Sequence, residues 1–242
     1  MHLTAWELGA CLAIVVVGGA IQGSIGFGLN LIVAPVIAVL APGAVPGSMV
    51  VLSLPLTITM VVREHHAIDR RGAAWIVLGR VPGTLVGVLI VALVSDAVLA
   101  AVVGIAILAG VGLSIVHPPI PVTRATAFGA GSAAGIMGTA AAVDGPPLAL
   151  LYQHAHGERL RSTLATCFVI GALMSAAALG LAGEITVEQL EFTVVLLPAL
   201  LVGLVLSTFL ARRLSPATLR PLVLGFAAVA GLVAVARGLS TL

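Results

Sequence analysis

The chain has 242 residues, 60% of them hydrophobic and only 8% charged, with 28 glycines and a net charge of +2. A water-soluble domain carries roughly 25% charged residues, so this chain could not cover a globule in water. The composition excludes a soluble enzyme, a secreted disulfide scaffold, a disordered chain and a nucleic-acid-binding protein. It indicates an all-α polytopic membrane protein, which at about 20 residues per crossing has room for at most ten or so spans.

Eight apolar stretches follow one another along the chain, separated by short polar segments. Six of them have about the length of one membrane-spanning helix, whereas the first and the fifth are longer. The first stretch lacks the basic segment of a signal peptide, so we expect it to remain in the mature protein. The stretches cover residues 5–41, 46–62, 73–94, 97–116, 125–152, 162–182, 190–211 and 219–238.

The positions of the arginines predict the orientation, because basic residues in short loops stay on the cytoplasmic side. Loops 63–72, 153–161 and 212–220 contain most of the arginines and are therefore expected inside, together with Arg124. The loop with Asp96 is expected outside. Both termini are also expected outside, as are the acidic residues Glu184, Glu188 and Glu191.

This arrangement requires residues 125–152 to return to the side of the membrane from which they enter. Two arms of about 21 Å each are too short for two crossings of a roughly 30 Å hydrocarbon core. We therefore predict a re-entrant pair of half-helices that meet at a break. A similar broken hairpin, with arms of about 18 residues, is predicted at 5–41.

An internal repeat supports this arrangement. GAIQGSIGFGLNLIVAP (19–35) aligns with GSAAGIMGTAAAVDGPP (131–147) at a shift of 112 residues, and a later pair of Pro and Gly positions aligns at a shift of 116. We predict a single membrane domain of two inverted repeats, 1–120 and 121–242. Each would consist of a broken hairpin followed by three transmembrane helices. The aligned residues are Gly19/Gly131, Gly23/Gly135, Gly26/Gly138, Pro35/Pro147, Pro82/Pro198 and Gly87/Gly203.

The two breaks are the candidate substrate site. A break in a membrane helix frees backbone N–H groups, which is tolerable only where they line a cavity or bind a ligand. At a helix N-terminus these groups suit anions, and glycine lets an anion approach them. Close packing of helices through small residues is the alternative role of the same glycines. The candidate residues are Gly23, Gly26, Gly28, Gly135 and Gly138, with Gln22, Ser24, Asn30, Ser132 and Thr139 as additional donors.

Two charged residues fall within apolar stretches. Arg80 follows Arg71 by nine residues, which places it about 13 Å along a helix and near the middle of the membrane. A guanidinium at that depth suits an oxyanion, and a structural ion pair or a snorkelling side chain is the alternative. Asp144 precedes a Gly-Pro-Pro turn, and it is a candidate partner of Arg80, a proton carrier or a helix cap.

Other polar residues have weaker assignments. Ser53 and Thr166 lie at similar depths in corresponding spans, where each could face a cavity or bond its own backbone. Cys11 and Cys167 are expected to fill the core. The histidines at 65, 66, 154 and 156 lack the spacing of a zinc site, so we expect no metal. We also find no nucleotide-binding loop and no nucleophile with a base, so we expect neither a cofactor nor enzymatic activity.

At the paired motifs GAIQGSIGFGLNLIVAP and GSAAGIMGTAAAVDGPP the chain resembles the sulfite exporter TauE/SafE family of bacterial membrane proteins. The segments AIDRRGAAWIVLGRVPGTLVGVLI and LPALLVGLVLSTFLARRLSPATLRPLV extend the resemblance over essentially the whole chain. The resemblance implies movement of sulfite, organosulfonates or related anions across the cytoplasmic membrane, commonly as export. It assigns the motif positions to Gly23, Gly26, Gly28, Gly135 and Gly138, where the family usually has more consecutive glycine.

We therefore predict a secondary transporter in the inner membrane that moves a small sulfur-containing anion by alternating access. Half-helix N–H groups and Arg80 would hold the anion while one half rocks against the other. A carboxylate carrier, an anion channel and an intramembrane sulfur-transfer enzyme are the alternatives. The sequence leaves open whether proton or sodium movement drives transport, and whether the protein forms an oligomer in the lipid bilayer.

Overall fold

A computed structural model describes residues 3–115, 120–155, 157–213 and 216–240. Within these ranges the chain is helical, and short 3₁₀ turns accompany the α-helices. The predicted loop residue His156 lies outside the described residues, as do the side chains of His65, Asp96, Arg212, Arg213 and Arg220. The helices are α1 (Ala5–Ile25), α2 (Leu29–Leu40), α3 (Gly47–Glu64), α4 (Arg70–Leu93), α5 (Asp96–Ile115), α6 (Arg124–Ala141), α7 (Gly145–Tyr152), α8 (Gly157–Leu181), α9 (Val187–Arg213) and α10 (Pro216–Ser240).

Six of the described helices are long and apolar enough to cross a membrane: α1, α4, α5, α8, α9 and α10. The predicted class, an all-α polytopic membrane protein, is therefore confirmed. The number of these candidates equals the six predicted spans, but the set includes α1 and lacks α3. The first arm of 5–41 has 21 residues, about 31 Å, and is among the candidates, whereas α3, a shorter helix of 18 residues, is not.

Both long apolar stretches are broken, but their arms are unequal. Residues 5–41 form α1 of 21 residues and α2 of 12, and residues 125–152 form α6 of 18 residues and α7 of 8. The predicted even division was wrong because the breaks follow local backbone constraints rather than the middle of the stretch. Left-handed residues at 26, 28 and 142 set their positions.

The helices pair reciprocally between the two predicted halves. α1 packs along α9, and the corresponding helices of the other half, α6 and α4, pack along each other. α3 lies against α8, and α5 lies against α10. The division into two repeats and their opposite orientation in the membrane stay predictions.

Glycines allow the backbones of α4 and α6 to come together. A Cβ atom at Gly79 would meet the carbonyl of Phe128, and one at Gly83 would meet the carbonyl of Ser132. In the other direction, a Cβ at Gly131 would meet the carbonyl of Ile76. Small residues at such contacts are the usual basis of helix association in membranes, where apolar burial provides little driving force.

The α4–α6 contact predicts a difference between two glycines of α6. Gly131→Ala should lower the free energy of unfolding by about 1–3 kcal/mol, because the added methyl group has no room beside Ile76. Gly129→Ala is the matched control, since no atom lies within 4 Å of its Cβ position. The measurement is the unfolding temperature of the purified variants in detergent. Equal unfolding temperatures for the two variants would show that the helices are not packed through Gly131.

Candidate functional site

The first break separates α1 from α2 at residues 26–28. Gly26 has φ of 98° and Gly28 has φ of 119°, values that residues with a side chain rarely adopt. α2 begins at Leu29, whose N–H donates to Oε1 of Gln22 at 2.9 Å. The sequence analysis assigned Gln22 as an additional donor to the anion. In the structure its amide oxygen instead accepts a hydrogen bond from one of the backbone N–H groups that were expected to be free.

The second break separates α6 from α7 at residues 142–144. Ala142 is left-handed, with φ of 58°, and the N–H of Val143 donates to the carbonyl of Met137 at 3.1 Å. α7 then begins at Gly145 and continues with Pro146 and Pro147, which have no N–H to donate. The second break therefore offers fewer backbone donors than the symmetric pair of breaks predicted from the repeat.

A guanidinium lies at this second break. Arg80 of α4 is 1% exposed, and its Nη1 donates to Oδ2 of Asp144 at 2.9 Å. Its Nε is buried without a hydrogen-bond partner in the described protein. Two glycines make room for the group: a Cβ at Gly171 would meet the guanidinium, and a Cβ at Gly138 would lie 2.9 Å from Nη2.

Asp144 is the ion-pair partner of Arg80, which was one of the three roles proposed for it from the sequence. It occupies the N-cap position of α7, but its side chain makes no capping hydrogen bond. Its side chain is 21% exposed, so the carboxylate has access to space that the guanidinium does not have. The role of proton carrier stays a prediction.

The two breaks meet across a small cavity. One part, of about 20 Å³, is bounded by Phe27 and Gly28 from the first break and by Ala142 to Gly145 from the second. A second part, of about 10 Å³, lies beside Arg80 and Gly138. Asn30 and Ser53 line both parts, as do Ala142 and Asp144. A cavity of this size holds about one water molecule, so a larger anion requires the helices to move apart.

The structure brings some of the predicted residues to this cavity and leaves others outside it. Those that line it are Gln22, Gly28, Asn30, Ser53, Arg80, Gly138 and Asp144. Ser53 also donates to the carbonyl of Val50 at 2.8 Å, so both roles proposed for its hydroxyl are present.

The remaining predicted residues make contacts between or within helices. Ser24 donates to the carbonyl of Ser207, and Ser132 donates to the carbonyl of Gly79. Thr139 hydrogen-bonds with Ser175 at 2.8 Å, and Thr166 bonds the backbone of its own helix. Cβ positions at three glycines also fall against neighbours: Gly23 against Ser207, Gly26 against Arg161, and Gly135 against the backbone of α4.

Several cavity residues were not predicted from the sequence. Thr57 lies one helical turn after Ser53 and therefore shares its face, a signal that the sequence contained. Phe27 and Phe168 also line the larger part, and Ser175 lines the smaller part. An apolar residue in an apolar helix gives no such signal. The space provided by Gly171 depends on the position of Arg80, which the sequence of α8 does not specify.

Six apolar helices long enough to cross a membrane define a multi-pass membrane protein, and an ion pair joins α4 to the break between α6 and α7. The sequence matches the family described as sulfite exporter TauE/SafE over residues 11–234. The match covers nearly the whole chain, so the protein belongs to the sulfite exporter TauE/SafE family. Searches among curated proteins and among solved structures found no match. The family is one of exporter-type transporters of sulfur anions.

The space beside Arg80 predicts an asymmetry between two glycines of α8. Gly171→Ala should lower the free energy of unfolding by about 1–3 kcal/mol, because the new methyl group forces the buried guanidinium away from Asp144. Gly180→Ala is the control, since its Cβ position is open. Thermal unfolding of both purified variants measures the difference. If Gly171→Ala unfolds at the temperature of Gly180→Ala, the guanidinium is not confined as described.

Proposed function

We propose that this protein exports a small sulfur-containing oxyanion, sulfite or an organosulfonate, across the cytoplasmic membrane by alternating access. Both termini would face outside. The observation that supports this proposal is the Arg80–Asp144 pair, buried where the two broken helices meet. Charged groups at membrane depth are costly and usually mark a substrate or ion pathway.

The guanidinium is the proposed contact for the anion. Its planar donors match the oxygens of a sulfite or sulfonate group, and Nε has no protein acceptor. Nη1 is bound by Asp144, so an arriving anion would compete with this carboxylate for the same cation. Gly138 and Asn30 lie beside the pair and would contact the bound anion. Gly23, Gly135 and Thr139 would hold the helices that carry these groups.

The small volume of the cavity supports a mechanism that requires conformational change. The described space holds about one water molecule, so the substrate could bind only after the two breaks separate. The closest backbone contacts join helices of different halves, α1 with α9 and α4 with α6. We therefore propose that the moving bodies are these mixed helix pairs, rather than the sequence halves 1–120 and 121–242.

The membrane potential favours export of an anion. With the inside negative, one negative charge leaves the cell downhill by roughly 2.3 kcal/mol per 100 mV. A coupled ion is therefore not required for export. Proton coupling would use Asp144, because its protonation would release Arg80 to the anion.

The test is flux through proteoliposomes with sulfite, sulfoacetate, thiosulfate, acetate and chloride. We expect saturable movement of at least one sulfur anion and weak movement of acetate and chloride. Arg80→Ala should lower the rate about 100-fold or more, because a charge-assisted contact of about 1.5–3 kcal/mol is lost and Asp144 is left unpaired in a buried site. Arg63→Ala, an exposed arginine at the end of α3, is the control and should transport normally.

Four outcomes would contradict the proposal. Failure of every sulfur anion to move or compete would remove the substrate class, and a preference for acetate would favour a carboxylate carrier. Flux without saturation would favour a channel. Transport by Arg80→Ala at the wild-type rate would remove the proposed anchor.

A further inference from the structure

A second cavity lies at the N-terminal end of α4, well away from Arg80. It has a volume of about 390 Å³, and its lining includes Arg71, Arg124 and Arg159. Arg71 precedes Arg80 by nine residues, so it lies about 13 Å from Arg80 along the helix. This basic cavity is therefore separate from the candidate substrate site.

Each of the three arginines lies in the first turn of a different helix: α4, α6 or α8. A helix N-terminus carries a partial positive charge, so a basic residue is unfavourable there and an anion is favourable. Three such ends converge on one space. The positive potential of this cavity therefore exceeds what the side chains alone would produce.

One carboxylate lies in the cavity wall, and protein donors already engage it. Asp69 accepts hydrogen bonds from the N–H of Gly72 at 3.1 Å and from the hydroxyl of Tyr152 at 3.0 Å, and it pairs with Arg159 at 3.1 Å. Partial burial raises the pKa of Asp69, but these hydrogen bonds outweigh it and hold the pKa below its usual value. Asp69 is therefore ionised near neutral pH, and the charged residues of the lining sum to +2.

The basic cavity continues into an exposed apolar surface. Trp75, Leu78 and Leu85 follow Arg71 at helical spacing on α4, and the two leucines are 52% and 59% exposed. On α6, Phe128 follows Arg124 by one turn and is 40% exposed. The Arg124 guanidinium lies 5.7 Å from the centre of the Trp75 ring. Tryptophan beside arginine at the end of a membrane helix is typical of the lipid headgroup region.

We propose that this cavity binds the phosphate headgroup of an anionic phospholipid whose acyl chains lie along the exposed face of α4 and α6. Basic pockets between membrane helices bind such headgroups, and arginine forms paired hydrogen bonds with phosphate oxygens. The apolar surface beyond Trp75 favours a lipid over a free phosphate, because acyl chains would cover this surface and a free phosphate has none.

The experiment is native mass spectrometry of the protein in neutral detergent with phosphatidylglycerol or phosphatidylcholine. The wild type should retain phosphatidylglycerol preferentially. The double variant R71Q/R124Q should bind it about 25-fold more weakly, since each basic residue near an anionic lipid contributes roughly fivefold. Arg70→Gln is the matched control, because Arg70 is exposed on the same turn and does not line the cavity. It should bind as the wild type does.

Glycerol 3-phosphate, added in place of the lipid, separates the two sources of phosphate. It should compete poorly with phosphatidylglycerol because it has no acyl chains. Preferential retention of glycerol 3-phosphate over the lipid, or equal lipid binding by R71Q/R124Q and the wild type, would overturn the proposal. If R71Q/R124Q does not fold, the salt dependence of the wild type provides the test. Its binding of phosphatidylglycerol should weaken between about 0.1 and about 1 M salt. Unchanged retention of the lipid would overturn the proposal. These results do not depend on transport.

Discussion

The cost of burying the Arg80 charge is the constraint on which the centre of this protein depends. A guanidinium that is 1% exposed in a membrane helix requires a partner, and Asp144 provides it at 2.9 Å. The partner comes from the second break, so α6 must lie close enough to α4 to bring that break to the guanidinium. The glycine contacts between the two helices, which include those of Gly131 and Gly135 with the α4 backbone, achieve this.

The same glycines that could bind an anion therefore divide into distinct roles. Gly135 sets the distance between helices, Gly26 and Gly28 allow the first break, and Gly138 borders the charged pair. The sequence offered close packing and ligand binding as interpretations; close packing holds at Gly135, and ligand binding at Gly28 and Gly138, which line the cavity, stays a prediction. Packing places the pair, and the pair then makes the site suitable for an oxyanion.

Much of the fold follows from the sequence, because apolar length and arginine placement are physical requirements of a membrane protein. They predicted the helical class and the two interrupted stretches. They did not predict the unequal arms, since an even division ignores the left-handed residues that fix each break. They also did not predict that the Gln22 side chain accepts a hydrogen bond from the first N–H of α2. A glutamine can bind either a helix N-terminus or a ligand, and the sequence does not distinguish the two.

The site was only partly predictable for a related reason. Charge in an apolar stretch is conspicuous, so Arg80 and Asp144 could be identified and paired as candidates. The cavity walls contributed by Phe27 and Phe168 could not, because their composition is that of any apolar helix. The role of Gly171 is to leave space for the Arg80 guanidinium, and this role is visible only once the two helices are packed together. Such contacts depend on three-dimensional packing between distant segments.

The central claim is that a substrate anion takes the place of Asp144 on Arg80. The most direct measurement is the shift in unfolding temperature that sulfite causes in the wild type, in Asp144→Asn and in the double variant R80Q/D144N. Asp144→Asn should be less stable by about 3–5 kcal/mol, because its buried guanidinium is unpaired, and sulfite should stabilise it more than the wild type. The double variant, with neither charge, should fold and show no shift. A shift in the double variant equal to that of the wild type would contradict the account.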